Sequence, residues 1–121
     1  MSSGPIDEAT FAGLLEMTGG DLEFVDELVD TYLADGAQQL AALRDAVAAG
    51  SADGLVRPAH SLKSSSLNVG ALVVGELARS LEEASRTGDV PDAADRVDAI
   101  AVAFADARDA LLDERGRRAQ A

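Results

Sequence analysis

Apolar residues recur every three or four positions along most of the chain, which is the period of an amphipathic α-helix. Five segments show this spacing, and glycine-containing turns separate them. The pattern predicts helices over about residues 7–17, 21–49, 51–69, 72–87 and 91–114. The third segment has the most regular stripe, with inward positions spaced four, three, four and three residues apart at Leu55, Ala59, Leu62, Ser66 and Val69.

Two residues inside the predicted helices oppose the pattern. Gly36 lies within the second helix, where a glycine costs about 1 kcal/mol relative to alanine. Pro58 removes a backbone hydrogen bond from the third helix, and we expect either a kink there or a looser first turn before residue 57. Other residues agree with the pattern: capping or first-turn residues at Asp7, Asp21, Ser51 and Pro91, and glycines at helix ends at positions 19, 20, 50, 70 and 88.

These elements predict an all-α fold. The four longer helices, joined by short turns, are typical of an antiparallel up-down four-helix bundle. The short extra N-terminal helix is expected to cover one end of the bundle, near Val25 and Leu28. The predicted bundle spans residues 7–114, after an N-terminal tail over 1–6. A C-terminal tail over 115–121 has no apolar periodicity, and we expect it to be frayed.

Composition and charge restrict the classes of function. The chain has 121 residues, no cysteine, one histidine and a net charge of −12. This inventory does not supply the usual zinc ligands, and we expect no metal site. The negative charge argues against a nucleic-acid or membrane-surface partner, and no apolar stretch is long enough for a membrane span. No signal peptide is recognisable, so we expect a cytoplasmic protein, either free-standing from its initial methionine or an excised domain.

The only histidine, His60, falls on the face of the third helix opposite the apolar stripe. His60, Ser64 and Leu67 follow one another at helical spacing, and Lys63, the only lysine, lies beside them. Small residues surround this group. The combination is either an ordinary surface histidine and lysine or an imidazole kept open to a large partner.

The stretch "AHSLKSSSLNVGA" (59–71) resembles the signature of histidine-containing phosphotransfer domains, A-H-x-L-K-[GS]-S-[SA] followed by G-A. The resemblance covers roughly residues 6–112, because the helices before and after the motif also look like those of the family. Ser64 stands where many members have glycine. The matching positions are His60, Leu62, Lys63, Ser65, Gly70 and Ala71.

The resemblance implies that His60 is phosphorylated. It would accept the phosphoryl group from a receiver aspartyl phosphate, or from a histidine kinase system, and pass it to another response regulator receiver. Lys63 would offset charge on the phosphoryl oxygens, and Ser64 would either donate a hydrogen bond to them or serve as a small spacer. The implied partners are response regulator receivers and a hybrid histidine kinase. No cofactor is expected in this chain, and Mg²⁺ is expected in the partner receiver.

The fourth helix folds back along the third and brings further charged residues level with His60. Its outward positions there are Arg79, Glu82, Glu83 and, one turn on, Arg86. One hypothesis is that Glu82 or Glu83 accepts a hydrogen bond from the imidazole and fixes its orientation. The other is a solvated charged face, because a glutamate so close would repel the added phosphoryl charge.

Partner docking is expected on the exposed rim around His60. Phe24 and Leu28 lie off the main stripe of their helix, and they either pack under the first helix or join this surface. The backbone at Gly70 is expected to allow close approach of a second protein. The predicted docking residues are Leu67, Gly70, Arg79, Glu82 and Arg86.

Two other functions compete with phosphotransfer. The chain would alternatively be a non-phosphorylated acidic helical module that binds a receiver or another partner. A hydrolase that uses His60 as base is disfavoured, because a spacing of four or five residues on a helix does not aim a serine hydroxyl at the imidazole with an orienting acid behind the ring. The sequence has no nucleotide-binding glycine-rich motif, so we expect a phosphoryl carrier rather than a kinase or other enzyme.

Overall fold

The computed structural model describes residues 4–119, with side chains described through residue 117. This part of the chain consists of five α-helices with no strand. The helices are α1 (Glu8–Met17), α2 (Leu22–Ala48), α3 (Ala52–Val69), α4 (Leu72–Arg86) and α5 (Ala93–Ala119).

Helices α2 to α5 form the four-helix bundle that the sequence predicts. Each packs against two neighbours, in the cyclic order α2, α3, α4, α5, and the short connections make consecutive helices antiparallel. Helix α1 lies over the end of the bundle where α3 turns into α4. There the backbone N–H of Asp7 donates a hydrogen bond to the carbonyl of Gly70 at 2.7 Å.

The predicted N-caps of the first three helices are confirmed. The side chains of Asp7, Asp21 and Ser51 each accept a hydrogen bond from the backbone N–H three residues later, at 3.0, 3.1 and 2.9 Å. Gly70 ends α3 with a φ of 86°, a left-handed conformation that residues with a Cβ rarely adopt. The turn after this glycine sends α4 back along α3, past His60.

The stripe predicted for α3 is buried and packs against α2. Its polar member, Ser66, is satisfied by a 2.7 Å hydrogen bond between its hydroxyl and that of Tyr32. Burial raises the pKa of Tyr32 to about 12, so the phenol remains neutral at physiological pH. The Tyr32 ring also lies 5.5 Å, centroid to centroid, from that of Phe104 on α5. The buried Tyr32 side chain of α2 thus contacts both α3 and α5.

Gly36 has a packing role that the pattern alone does not show. A Cβ at this position would overlap the ring of Phe104. The missing side chain therefore allows Phe104 of α5 to lie directly against the backbone of α2. The close contact between Phe104 and α2 therefore requires a residue that lowers the helix propensity at this position by about 1 kcal/mol.

Helix α5 differs from the prediction at both ends. It begins two residues after Pro91 and continues to Ala119. Arg115 accounts for the extension, because its guanidinium lies 2.7 Å from a carboxylate oxygen of Asp30 and ties the end of α5 to α2. The frayed tail is therefore wrong for residues 115–119, and the last two residues lie outside the described part of the chain.

Two further expectations are corrected near the other helix ends. Ile6 is buried in the core, so the N-terminal tail is wrong at this residue, and residues 1–3 are not described. Helix α3 is unbroken from Ala52 through Pro58, so the looser first turn is also wrong. The Ser51 cap holds that turn, and the proline ring is buried.

Candidate functional site

His60 lies on the exposed side of α3, and its ring contacts the neighbouring helix. The side chain is 55% exposed, and Nδ1 lies 3.0 Å from Oε2 of Glu82 on α4. The α3–α4 hairpin brings these two residues level, although 22 positions separate them in the sequence. Of the two hypotheses for the charged residues of α4, the structure shows the one in which Glu82 accepts a hydrogen bond from the imidazole.

Glu82 is buried, whereas its position in the sequence predicts an outward-facing side chain. Its side chain is only 7% exposed. The difference comes from the rotation of α4, which turns Gly75, Ala78 and Glu82 to the buried side. Leu77 and Ala84, which helical spacing from the buried Leu81 would place inward, are only half-buried. The helical spacing of Glu82 from Gly75 and Ala78 is the sequence feature that indicates its burial. A glycine and an alanine, however, contribute little to an apolar pattern.

Two cations also bind the Glu82 carboxylate. Nζ of Lys63 lies 3.1 Å from Oε1, and Nη2 of Arg86 lies 2.7 Å from Oε2. The hydrogen bond from Arg86, with those from Lys63 and His60, outweighs burial and lowers the pKa of Glu82 to about 2. Glu82 is therefore ionised near neutral pH.

The ionised state of Glu82 fixes the tautomer of His60. A carboxylate has no hydrogen to donate, so the hydrogen in the His60–Glu82 contact belongs to Nδ1. In the neutral imidazole, Nε2 then carries the lone pair, on the opposite side of the ring from Glu82. Because the side chain is 55% exposed, this lone pair is open to a reactant.

Of the predicted site residues that do not contact the Glu82 carboxylate, three are exposed, and two of these lie on α3 with His60. Ser64 and Leu67 are exposed on that helix, and the Ser64 hydroxyl has no hydrogen bond to any residue that the structure describes. Arg79 on α4 instead binds Glu76 at 2.9 Å and Glu83 at 2.7 Å. Arg79 therefore belongs to a separate surface ion-pair group and does not contact the carboxylate beside His60.

Gly70 is buried, which corrects its assignment to the docking surface. Its carbonyl accepts the hydrogen bond from Asp7, and a Cβ on Gly70 would lie 2.9 Å from the Asp7 carbonyl oxygen and 3.3 Å from Thr10. Helix α1 therefore covers the backbone that a partner was expected to approach. Phe24 is 46% exposed, so it is not packed away beneath α1, and Leu28 is half-buried.

The sequence matches the family model described as "Hpt domain" over residues 27–114, which include all the residues around His60. The chain belongs to the histidine-containing phosphotransfer (Hpt) domain family. The structure of this Hpt domain is similar to the crystal structure of histidine-containing phosphotransfer protein B (HptB) from Pseudomonas aeruginosa PAO1. The TM-score is 0.88 at 31% sequence identity, covering 96% of this chain and 98% of that chain. A search of curated proteins found no match.

Family membership gives this Hpt domain a role in histidine phosphotransfer within phosphorelays. The family works with response regulator receivers and kinases of two-component systems. Within residues 4–119, no helix of the Hpt domain is sufficiently long and apolar to cross a membrane.

Glu82→Gln should destabilise this Hpt domain in a pH-dependent manner. The folded-state pKa of Glu82 lies below its usual value of 4.5, so its stabilising contribution is fully present above that pH and is lost as the pH falls through about 2. Urea unfolding should therefore show a loss of about 1–3 kcal/mol at pH 7 and a smaller loss at pH 3.

Glu83→Gln is the matched control, because Glu83 is the exposed neighbour and pairs with Arg79 on the surface. Its unfolding free energy should stay within about 1 kcal/mol of wild type at both pH values. An equal loss for Glu82→Gln at pH 7 and pH 3 would show that the ionised carboxylate contributes no special stability.

Proposed function

We propose that His60 accepts a phosphoryl group on Nε2 from the aspartyl phosphate of one receiver domain and passes it to the receiver of another response regulator. The observation that carries this proposal is the hydrogen bond from Nδ1 to Glu82, which leaves the Nε2 lone pair exposed. The chain has no second histidine that could take this role. Family membership supports the reaction class.

The proposed transfer requires no proton movement at His60. The Nε2 lone pair attacks phosphorus while the P–O bond to the receiver aspartate breaks, and the electron pair of that bond remains on the departing carboxylate. The ring keeps its Nδ1 hydrogen and becomes positively charged. The Glu82 carboxylate, 3.0 Å from Nδ1, stabilises this charge. The reverse steps deliver the phosphoryl group to a second aspartate.

Lys63 is proposed to neutralise charge on the phosphoryl oxygens. It follows His60 by three residues on the same helix, and its ammonium lies at the edge of the site, bound to Oε1 of Glu82. Phosphoryl transfer depends mainly on such positioning and neutralisation. When Lys63 turns toward the phosphoryl group, Arg86 still pairs with Glu82, which limits the repulsion between this carboxylate and the phosphoryl group.

Other groups complete the proposed reaction. The hydroxyl of Ser64, one turn after His60, is proposed to donate a hydrogen bond to the phosphoryl group. The Mg²⁺ that assists the transfer is proposed to belong to the partner receiver.

The receiver is proposed to dock on the exposed surface that continues from His60 toward α1. Leu67, two turns after His60, is 38% exposed. A groove beside it is lined by residues of α1 that include Leu14 and Met17, and Met17 is 85% exposed. Exposed apolar side chains next to a reactive group are typical of a surface that a partner covers.

His60→Gln should abolish phosphoryl uptake without unfolding the bundle, because the ring is exposed. The test is incubation of each protein with phosphorylated receivers of the source organism, followed by measurement of an acid-labile, base-stable label. Wild type should be labelled and His60→Gln should not. Equal labelling of both would exclude His60 as the acceptor. Receiver binding by wild type without any label would favour the alternative, a non-phosphorylated binding module.

Lys63→Ala should slow phosphoryl transfer on the order of 10- to 100-fold, because the variant loses a cation that can turn toward the transferred group. Lys63→Arg retains the positive charge and should be affected less. Rapid-quench measurement of transfer from a saturating receiver separates this effect from docking, and circular dichroism checks the fold. A wild-type rate in Lys63→Ala would remove this role from the lysine.

Leu67→Ala should weaken receiver binding by about 3- to 30-fold, the range for an apolar residue within a docking surface. Val102→Ala is the matched control, because Val102 is 64% exposed on α5 and lies outside the proposed surface. Isothermal titration calorimetry with a receiver gives both affinities. Equal binding by the two variants would contradict docking at Leu67.

A further inference from the structure

Arg57 differs from the other basic residues of this acidic chain. It is exposed on α3, one turn before His60. Every other lysine or arginine side chain that the structure describes is paired with a carboxylate. Arg57 has neither an ion pair nor a side-chain hydrogen bond within the described residues, although the chain carries 22 acidic residues. An unpaired guanidinium is therefore available next to the only imidazole.

The helix geometry places Arg57 on the opposite side of His60 from Lys63. Successive residues of an α-helix turn by about 100°, so residues three before and three after His60 are displaced by about 60° in opposite directions. Lys63 is on the side that faces α4, because it binds Glu82. Arg57 is consequently on the side that faces away from α4.

The orientation of the imidazole points the phosphoryl acceptor in the same direction as Arg57. Nδ1 faces Glu82 on α4, so Nε2 faces away from that helix. Side chains on a helix also lean toward its N-terminus, which for His60 is the direction of the turn that contains Arg57. A phosphoryl group on Nε2 would project into the space beside this guanidinium.

We propose that Arg57 binds the phosphoryl group carried by Nε2 of His60. This inference rests on the proposed function, and it adds a phosphoryl-binding residue on the side of the ring away from Lys63. Lys63 and Arg86 are bound to Glu82 before transfer, whereas Arg57 is paired with no carboxylate in the described part of the chain. A guanidinium forms paired hydrogen bonds with phosphoryl oxygens, and it remains charged throughout the physiological pH range.

The test is a ³¹P NMR pH titration of the isolated phosphorylated protein, prepared with phosphoramidate. In that reaction the P–N bond of the donor breaks as Nε2 binds phosphorus, and ammonia departs with its electron pair. A nearby cation favours the doubly charged phosphoryl group and lowers its pKa. Arg57→Gln should therefore raise the phosphoryl pKa by about 0.2–0.7 unit, the size expected for an exposed ion pair.

Two control variants make the result specific. Arg57→Lys keeps the charge and should retain at least half of the wild-type effect. Arg108→Gln removes the same charge from α5, where Arg108 pairs with its neighbour Asp109, and should leave the phosphoryl pKa unchanged. A shift in Arg108→Gln equal to that in Arg57→Gln would mean that only net charge matters, and would overturn the inference.

An unchanged phosphoryl pKa in Arg57→Gln would also overturn the inference that Arg57 binds the phosphoryl group. If that variant instead binds a receiver more weakly, Arg57 contacts the partner rather than the phosphoryl group. Failure of the proposed function is distinguishable, because wild type would then take no phosphoryl group from any receiver. Wild type that accepts the group, with no titration difference in Arg57→Gln, rejects only the role of Arg57.

Discussion

The carboxylate of Glu82 is the group on which the arrangement of the site depends. It lies between α3 and α4 and binds three nitrogen groups, those of His60, Lys63 and Arg86, at 2.7–3.1 Å. Burial alone would favour the neutral acid, yet these partners keep the carboxylate ionised. Its negative charge then holds the hydrogen of the imidazole on Nδ1 and directs the free lone pair outward. The nucleophilic character of Nε2 of His60 thus depends on the Glu82 carboxylate and the ion pairs that keep it charged.

The fold brings this group together through close approach of α3 and α4. A Cβ on Gly75 would lie 2.5 Å from Leu67 of α3, so the two helices pack closely at this point. Gly75 and Ala78 share the buried face of α4 with Glu82, and Gly70 reverses the chain between the helices. Small residues at these positions therefore place the carboxylate under His60, which remains exposed.

Much of the bundle follows from local sequence signals, because helix caps and apolar spacing act over a few residues. The capping side chains and the buried stripe of α3 are examples. Burial of Glu82, the cover of α1 over Gly70 and the contact between Gly36 and Phe104 depend on how helices rotate and approach one another. The extension of α5 likewise depends on Arg115 reaching Asp30 of another helix. Such contacts join residues that are distant in sequence, and the spacing of apolar residues does not determine them.

The residues of the site also divide into those that the local sequence identifies and those whose roles depend on contacts between helices. The motif identifies His60 and Lys63, whereas the hydrogen bond that fixes the tautomer requires the positions of both helices.

The most direct test of this account is ¹H–¹⁵N NMR of the His60 ring at a pH where the imidazole is neutral. The account predicts a hydrogen on Nδ1 and a lone pair on Nε2. A hydrogen on Nε2 would contradict it, because the exposed nitrogen would then have no lone pair with which to attack phosphorus.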